Sequence, residues 1–157
     1  MTIRKETAML KNKEIYSIEK ELDWLQDKNI YKDLKRIGMH NGQPAILAYI
    51  YMHQNCTQYE IAKYLGLSRA SIGVSIKRMA ASGYLEVQPS QIDKRSTELT
   101  ITKEGIKTLV KSDMIIDDYI SKKYAGFNET ELTNYIKYLN KIKKNLTKIY
   151  RDNRSDK

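Results

Sequence analysis

The sequence predicts a mainly α-helical fold with one small β-hairpin. Three observations carry that expectation. The 157 residues include two prolines and seven glycines, which favours long uninterrupted helices over a loop-rich sandwich. Apolar residues recur at helical steps over most of the chain. Two short segments, Tyr84 to Gln88 and Glu98 to Thr102, instead alternate apolar and polar, as a strand with one wet face does. With 41% apolar and 30% charged residues, the chain has material for one cored domain with appended helices.

The elements follow in order. Ile15, Ile18, Leu22 and Leu25 open a stripe that Ile30, Leu34 and Ile37 continue, giving a long amphipathic helix, or two joined, that ends at Gly38. Asn41-Gly42-Gln43-Pro44 reads as a helix entry, with Asn41 able to cap and Pro44 tolerated in the first turn. That helix carries Ile46, Leu47, Ile50 and Tyr51 and ends between His53 and Asn55. Thr57 and Glu60 then have the spacing of a capping box, ahead of a short apolar face of Ile61 and Leu65. Gly66 stops this helix, Leu67 is expected to pack behind it, and Ser68 caps the next helix. Helix, tight glycine turn, helix is the resulting signature.

The second helix of that pair separates into faces. At about 100° per residue, Ile72, Ile76 and Met79 share a buried side. Ala70, Val74, Lys77, Arg78 and Ala81 lie opposite, with Ser71 at the edge. Arg69, Lys77 and Arg78 give it three positive charges, and no acid falls between Ser68 and Ser82. Small side chains let a helix backbone approach base edges; Ala70 and Val74 suit thymine methyls, Ser71 a base or phosphate, and Arg69 a bidentate guanine contact. The expected DNA-binding set on this helix is Ser68, Arg69, Ala70, Ser71, Val74, Ser75, Lys77 and Arg78, with Thr57 and Gln58 as further contacts. A solvated basic face is the plainer alternative.

After Gly83 the two alternating segments form a hairpin whose polar tip runs from Pro89 to Ser96. Such a wing sets its tip beside a flanking minor groove, where an Arg senses groove width and potential. Arg95 and Lys94 are the expected contacts, with Asp93 fixing the Arg95 guanidinium by a charge-assisted bond.

From Gly42 to Gly105 the chain resembles the MarR (multiple-antibiotic-resistance regulator) family of winged-helix transcription factors. The matching pieces are Gln58 to Leu65 with Gly66-Leu67-Ser68, the run from Ser71 to Met79, Gly83-Tyr84-Leu85, Asp93-Lys94-Arg95, and Leu99 with Thr102-Lys103-Glu104-Gly105. The resemblance implies a winged helix-turn-helix core flanked by N- and C-terminal dimerisation helices. It also implies a homodimer with two recognition helices in successive major grooves of a pseudo-palindromic operator, and a repressor released by a small molecule. Many members carry an Arg or polar residue where this chain has Val74, and often an acid where it has Lys77.

The C-terminal third supplies the dimerisation expectation. Ile106, Leu109, Val110, Ile116, Tyr119 and Ile120 form one stripe, broken near Ala125-Gly126. Asn128 and Glu131 repeat the capping logic, and Leu132, Ile136, Leu139, Ile142, Leu146 and Ile149 follow as a second stripe. Pairing with a second chain accounts for these stripes, as does packing against the N-terminal helix. The expected division is residues 1–40 and 106–157 for dimerisation, and 41–105 for DNA binding.

Twelve tyrosines stand against one phenylalanine. Tyr16, Tyr31, Tyr49, Tyr51, Tyr119 and Tyr124 lie on helices that the family places around an effector cleft, which suits a small aromatic effector. Half-buried helix surfaces explain them equally well.

Other classes fall away. A single cysteine, Cys56, excludes an intrachain disulfide and a four-cysteine zinc site, and reads as a small packed thiol at a helix boundary. His53 and Cys56 would need further ligands to hold a metal. No glycine-rich phosphate loop or nucleophile motif accompanies His40 and His53, so neither an enzyme nor a cofactor is expected. With no apolar run of roughly 18 residues and no signal-like N-terminus, a soluble cytoplasmic protein without membrane attachment is expected. The net charge of +9 divides unevenly, as +2 over residues 1–36, +2 over 37–105 and +5 over 106–157. A DNA-binding role therefore rests on the arrangement of bases, not on their excess. The remaining alternatives are a winged-helix protein-interaction module and a small-molecule-binding helical protein, both without DNA readout.

Overall fold

From Thr2 to Arg36 no proline or glycine interrupts the chain, and these residues form one helix, α1 (Thr2–Arg36), not two. The computed structural model describes residues 2–90 and 96–155. They arrange as α1, α2 (Gln43–Met52), β1 (Cys56–Thr57), α3 (Gln58–Leu65), α4 (Arg69–Ala81), β2 (Leu85–Pro89), β3 (Thr97–Ile101), α5 (Lys103–Lys123) and α6 (Glu129–Ser155). Two compact units divide the chain, residues 1–119 and 120–157.

Three helices of the first unit end in the same way. The amide five residues on bonds back to the last turn, Met39 to Leu34, Leu67 to Ala62 and Tyr84 to Met79, with distances of 2.9–3.0 Å. A glycine at positive φ precedes each of these amides: Gly38, Gly66 and Gly83. These are the glycine stops expected from the sequence. Leu67, expected to pack behind Gly66, is half exposed and lies outside the core cluster. The cap of α2 also differs from expectation. Gly42, at φ 82°, is the N-cap residue, and Asn41 is used elsewhere. Its amide nitrogen donates to the Asp27 carbonyl at 3.3 Å and to the Asp27 carboxylate at 3.2 Å, which ties the loop to α1.

The core draws on every element of this unit. Leu34 and Met39 meet Ile46, Leu47 and Ile50 of α2, Ile61 of α3, Ile72, Ile76 and Met79 of α4, and Leu109 of α5. Leu85, Leu99 and Ile101 close it from the sheet. The sheet has three strands in the order β1-β3-β2, all antiparallel. Sequence reading gave the hairpin but not β1, in which Cys56 pairs with Leu99 and Thr57 with Glu98. Because β3 is central, Leu99 is fully buried, whereas its neighbour Val87 on the edge strand β2 is 44% exposed.

Thr102 starts α5 with two bonds. Its hydroxyl accepts from the Gly105 amide at 3.0 Å and donates to the Gly83 carbonyl at 2.6 Å. A Cβ on Gly105 would run into the Tyr84 carbonyl, so only glycine lets the helix lie this close. The approach also decides the inward face of α5. Gly105, Thr108, Leu109 and Ser112 are buried, while Ile106, Val110 and Ile120 of the expected stripe are exposed. The Ser112 hydroxyl, fully buried, donates to the Leu109 carbonyl at 2.7 Å.

In the second unit, Asn128 caps α6. Its side-chain oxygen accepts from the Glu131 amide at 3.0 Å, and the Glu131 carboxylate accepts from the Asn128 amide at 2.9 Å. Ile136, Leu139, Ile142, Leu146 and Ile149 are exposed along the helix, and Leu132 is half-buried.

Candidate nucleic-acid interface

The pair α3 and α4 is built by its caps. The Thr57 hydroxyl accepts from the Glu60 amide at 3.3 Å and donates to the Glu60 carboxylate at 2.9 Å, while the Thr57 amide donates to that carboxylate at 2.7 Å. These bonds from Thr57 hold the Glu60 carboxyl below its ordinary value. Ser68 caps α4 by accepting from the Ser71 amide at 3.1 Å, and the two serine hydroxyls lie 2.9 Å apart. Three expected contacts therefore have intramolecular partners: Thr57, Ser68 and Ser71.

Gln58 is a fourth. Its amide nitrogen donates to the Arg69 carbonyl, joining the first residue of α3 to the first of α4. Gly73 makes room for this crossing, since a Cβ there would sit 2.9 Å from the Gln58 amide nitrogen. With Ile72, Ile76 and Met79 in the core, α4 is fixed on one side. The other side presents Ala70, Ser71, Val74, Lys77 and Arg78 to solvent, and Ser75 is half-buried. Arg69 stands apart from that exposed face. Its guanidinium carbon lies 4.8 Å from the centre of the Tyr59 ring on α3. Sequence reading did not single out Tyr59, because a ring ten residues upstream of an arginine carries no local signal.

The tip contacts Asp93, Lys94 and Arg95 lie outside the described residues. The strands that lead to them are paired as far as Pro89 and Thr97, and the Ser90 amide donates to the Ser96 carbonyl at 3.0 Å.

Four of the six tyrosines expected around an effector cleft, Tyr16, Tyr31, Tyr49 and Tyr124, have ring or lysine neighbours. Tyr31 lies against His40, Tyr49 against His53 and Tyr64, and Tyr124 against Phe127 and Tyr135. Lys20 and Lys35 cover Tyr16 and Tyr31 at 5.5 and 5.9 Å, Tyr51 is exposed, and Tyr119 is half-buried. Burial, followed by the Glu60 charge, pushes the Tyr49 phenol up. A cavity of about 260 Å³ opens elsewhere, between α1, the start of α2 and α5. Ile30, Leu34, Pro44 and Ile116 supply its apolar wall, and the bonded pair Asp27 and Asn41 its polar edge.

Cys56 is buried in β1, and burial followed by the Glu60 charge pushes its thiol up to about 11. A thiol held protonated is a poor redox nucleophile. Among the described residues no cluster of three or more His, Cys, Asp or Glu is placed to hold a metal. Among them, too, no helix is long and apolar enough to cross a membrane.

Residues 37–96 match the model of the MarR family, a segment that holds α2, the paired helices α3 and α4, and the first strand of the hairpin. Over these residues the chain is similar to the MarR family. MarR-family proteins are transcriptional regulators and not enzymes. The HTH-type transcriptional regulator BilQ of Clostridium symbiosum is 25% identical over 112 residues, covering 71% of this chain and 78% of BilQ. The transcriptional activatory protein BadR of Rhodopseudomonas palustris is 31% identical over 91 residues, or 57% of this chain and 52% of BadR. Among solved structures, a mutant MarR from E. coli complexed with operator DNA shares the fold, with a TM-score of 0.72 at 17% identity. That match covers 82% of this chain and 92% of MarR. The expected mainly α fold with a winged helix-turn-helix thus holds in both the family match and the structure.

Proposed function

We propose that this chain is a homodimeric, sequence-specific DNA-binding regulator of the MarR family that places two α4 helices in successive major grooves of a pseudo-palindromic operator. One observation carries this: α4 exposes a narrow face of small side chains and bases, with no acid, while its other face is anchored in the core. Rigid anchoring lets such a face meet a groove without an ordering cost. The E. coli relative was solved on operator DNA, which supports the same use of the shared fold. Residues 41–105 form the DNA-binding portion in this proposal, with Arg95 and Lys94 at the hairpin tip against the flanking minor groove and Asp93 steadying Arg95.

The apolar stripes of residues 1–40 and 106–157 supply the dimer. Met9, Leu10, Ile15, Ile18 and Leu22 of α1 are exposed in the single chain, as are Ile136, Leu139, Ile142, Leu146 and Ile149 of α6. A surface this apolar along two long helices fits burial against a second copy.

The regulator responds to a small ligand, and the cavity beside Asp27 and Asn41 is its site. An apolar wall with one carboxylate at its edge fits a small, largely apolar molecule that carries a hydrogen-bond donor. Regulation is by repression: an occupied operator blocks transcription until the ligand weakens binding.

Selection of duplexes from a random pool, followed by titration against salt, tests the function. The expected result is discrimination of the selected duplex over a random one, with affinity falling steeply as salt rises. Ala70→Glu should abolish that discrimination by setting a charge against the groove, and retention of tight specific binding would refute the placement of α4. Arg95→Ala should weaken binding without unfolding the protein, and an unchanged affinity would refute the wing contact.

A further inference from the structure

We propose that Tyr59 and Arg69 form a paired clamp on the DNA backbone, in which the Tyr59 ring holds the Arg69 guanidinium against a phosphate at the groove edge. The inference rests on the DNA-binding function proposed above. It gives Tyr59 a role as positioning residue and moves Arg69 from base reader to backbone contact.

Position on the helix is the first argument. Arg69 stands one turn before Gly73 and so shares its side of α4. That side faces α3, since Gly73 is where the Gln58 amide lies against the helix. Ala70, Val74 and Arg78 are on a different side, so the root of Arg69 is turned from the face best placed to enter a groove.

The second argument is the tether. Gln58 fixes the Arg69 carbonyl to the start of α3, and the next residue along α3, Tyr59, carries the ring on which the guanidinium rests at 4.8 Å. A guanidinium that lies on a ring keeps its in-plane N–H donors free for a planar acceptor. Held above α3, those donors reach a strand that flanks the groove, where the acceptors are phosphate oxygens. Tyr59 itself is 52% exposed, so its ring is not kept there by the core. The nearest acid in sequence, Glu60, is occupied by the amide and hydroxyl of Thr57 and does not compete for the guanidinium.

A backbone contact and a base contact leave different marks. Loss of a phosphate contact weakens every duplex alike and lowers the salt slope, whereas loss of a guanine contact relaxes preference at one base pair. The test uses the full chain as wild type, Tyr59→Phe, Tyr59→Leu, Arg69→Gln and the Leu/Gln double variant. Each is titrated over a series of salt concentrations with a duplex selected by wild-type protein and with a random duplex of equal length. Arg69→Gln should weaken both duplexes by about fivefold and lower the salt slope by about one per protomer. Tyr59→Leu should weaken both by about fivefold, while Tyr59→Phe, which keeps the ring, stays within about twofold of wild type. The double variant should be no weaker than Arg69→Gln alone, because the ring acts only through the guanidinium. Unchanged binding by Tyr59→Leu would overturn the clamp. So would relaxed preference at one base pair in Arg69→Gln with an unchanged salt slope. Wild-type protein without affinity for either duplex would overturn the DNA-binding function, and the clamp with it.

Discussion

α4 and α6 are both amphipathic helices with apolar residues at helical spacing, yet their apolar faces meet different fates. Ile72, Ile76 and Met79 of α4 vanish into the core of their own unit, whereas Ile136, Leu139, Ile142, Leu146 and Ile149 of α6 stay exposed. The polar faces differ as well. α4 leaves small residues and three bases outside, while α6 carries Lys137, Lys141, Lys144, Lys148 and Arg151 among acids and amides. A periodic stripe therefore states that a face will be buried but not by what. For α4 the partner is within the chain; for α6 we propose a second copy.

The contrast can be broken at its strongest point first. Ile76→Ala should cost about 2–5 kcal/mol of stability, because a buried branched side chain is removed from a packed core. Urea unfolding measures it, and a loss near zero would mean that α4 is not anchored as described. Ile142→Asp combined with Leu146→Asp should leave the first unit folded but lower duplex affinity by about a hundredfold, as the two half-sites are no longer bound together. Sedimentation should show the protein shift from dimer to monomer; a double variant that stays dimeric would assign the stripe to another partner.

Smaller effects sharpen the picture of α3. Thr57→Ala should cost about 1 kcal/mol through the lost cap, again by urea unfolding. The same cap has a pH signature. The folded Glu60 carboxyl titrates below its ordinary value of 4.5, so its stabilisation is complete above that value and is lost as pH falls through the lower, folded one. Wild type should therefore lose its advantage over Glu60→Gln as the solution is acidified, and a constant difference across that range would contradict the capping box. The least perturbing test is alkylation of Cys56. With its thiol pushed up to about 11, labelling in the native state should be slow near neutral pH and faster in urea. Equal rates in the two states would show that the thiol is not buried.

What was legible in the sequence was local. The caps at Thr57, Ser68 and Asn128 and the glycine stops at 38, 66 and 83 involve residues a few positions apart, and each forms as read. The buried face of α4 was equally plain from its period. Less legible were features set by contacts distant in the chain. β1 is two residues long and is a strand only because β3 lies beside it. The inward face of α5 is chosen by the contact of Gly105 with the Tyr84 backbone, which overrides the more apolar stripe through Ile106 and Val110. Asn41 has the chemistry of a cap, but Asp27 on α1 takes its amide. The Tyr59–Arg69 contact crosses from one helix to the next, as does that of Tyr49 with Tyr64, and Tyr124 just beyond α5 meets Tyr135 of α6.

Thr57 belongs to two structures at once. Its backbone pairs with Glu98 in the sheet while its side chain caps α3, so no spacer separates the hairpin strands from the paired helices. An inserted or deleted residue between Cys56 and Gln58 would put the cap and the strand pair out of step, and one of them would be lost. Length variation among chains built on this plan should therefore collect at the hairpin tip and between α5 and α6, while the count of residues from β1 to the end of α4 stays fixed.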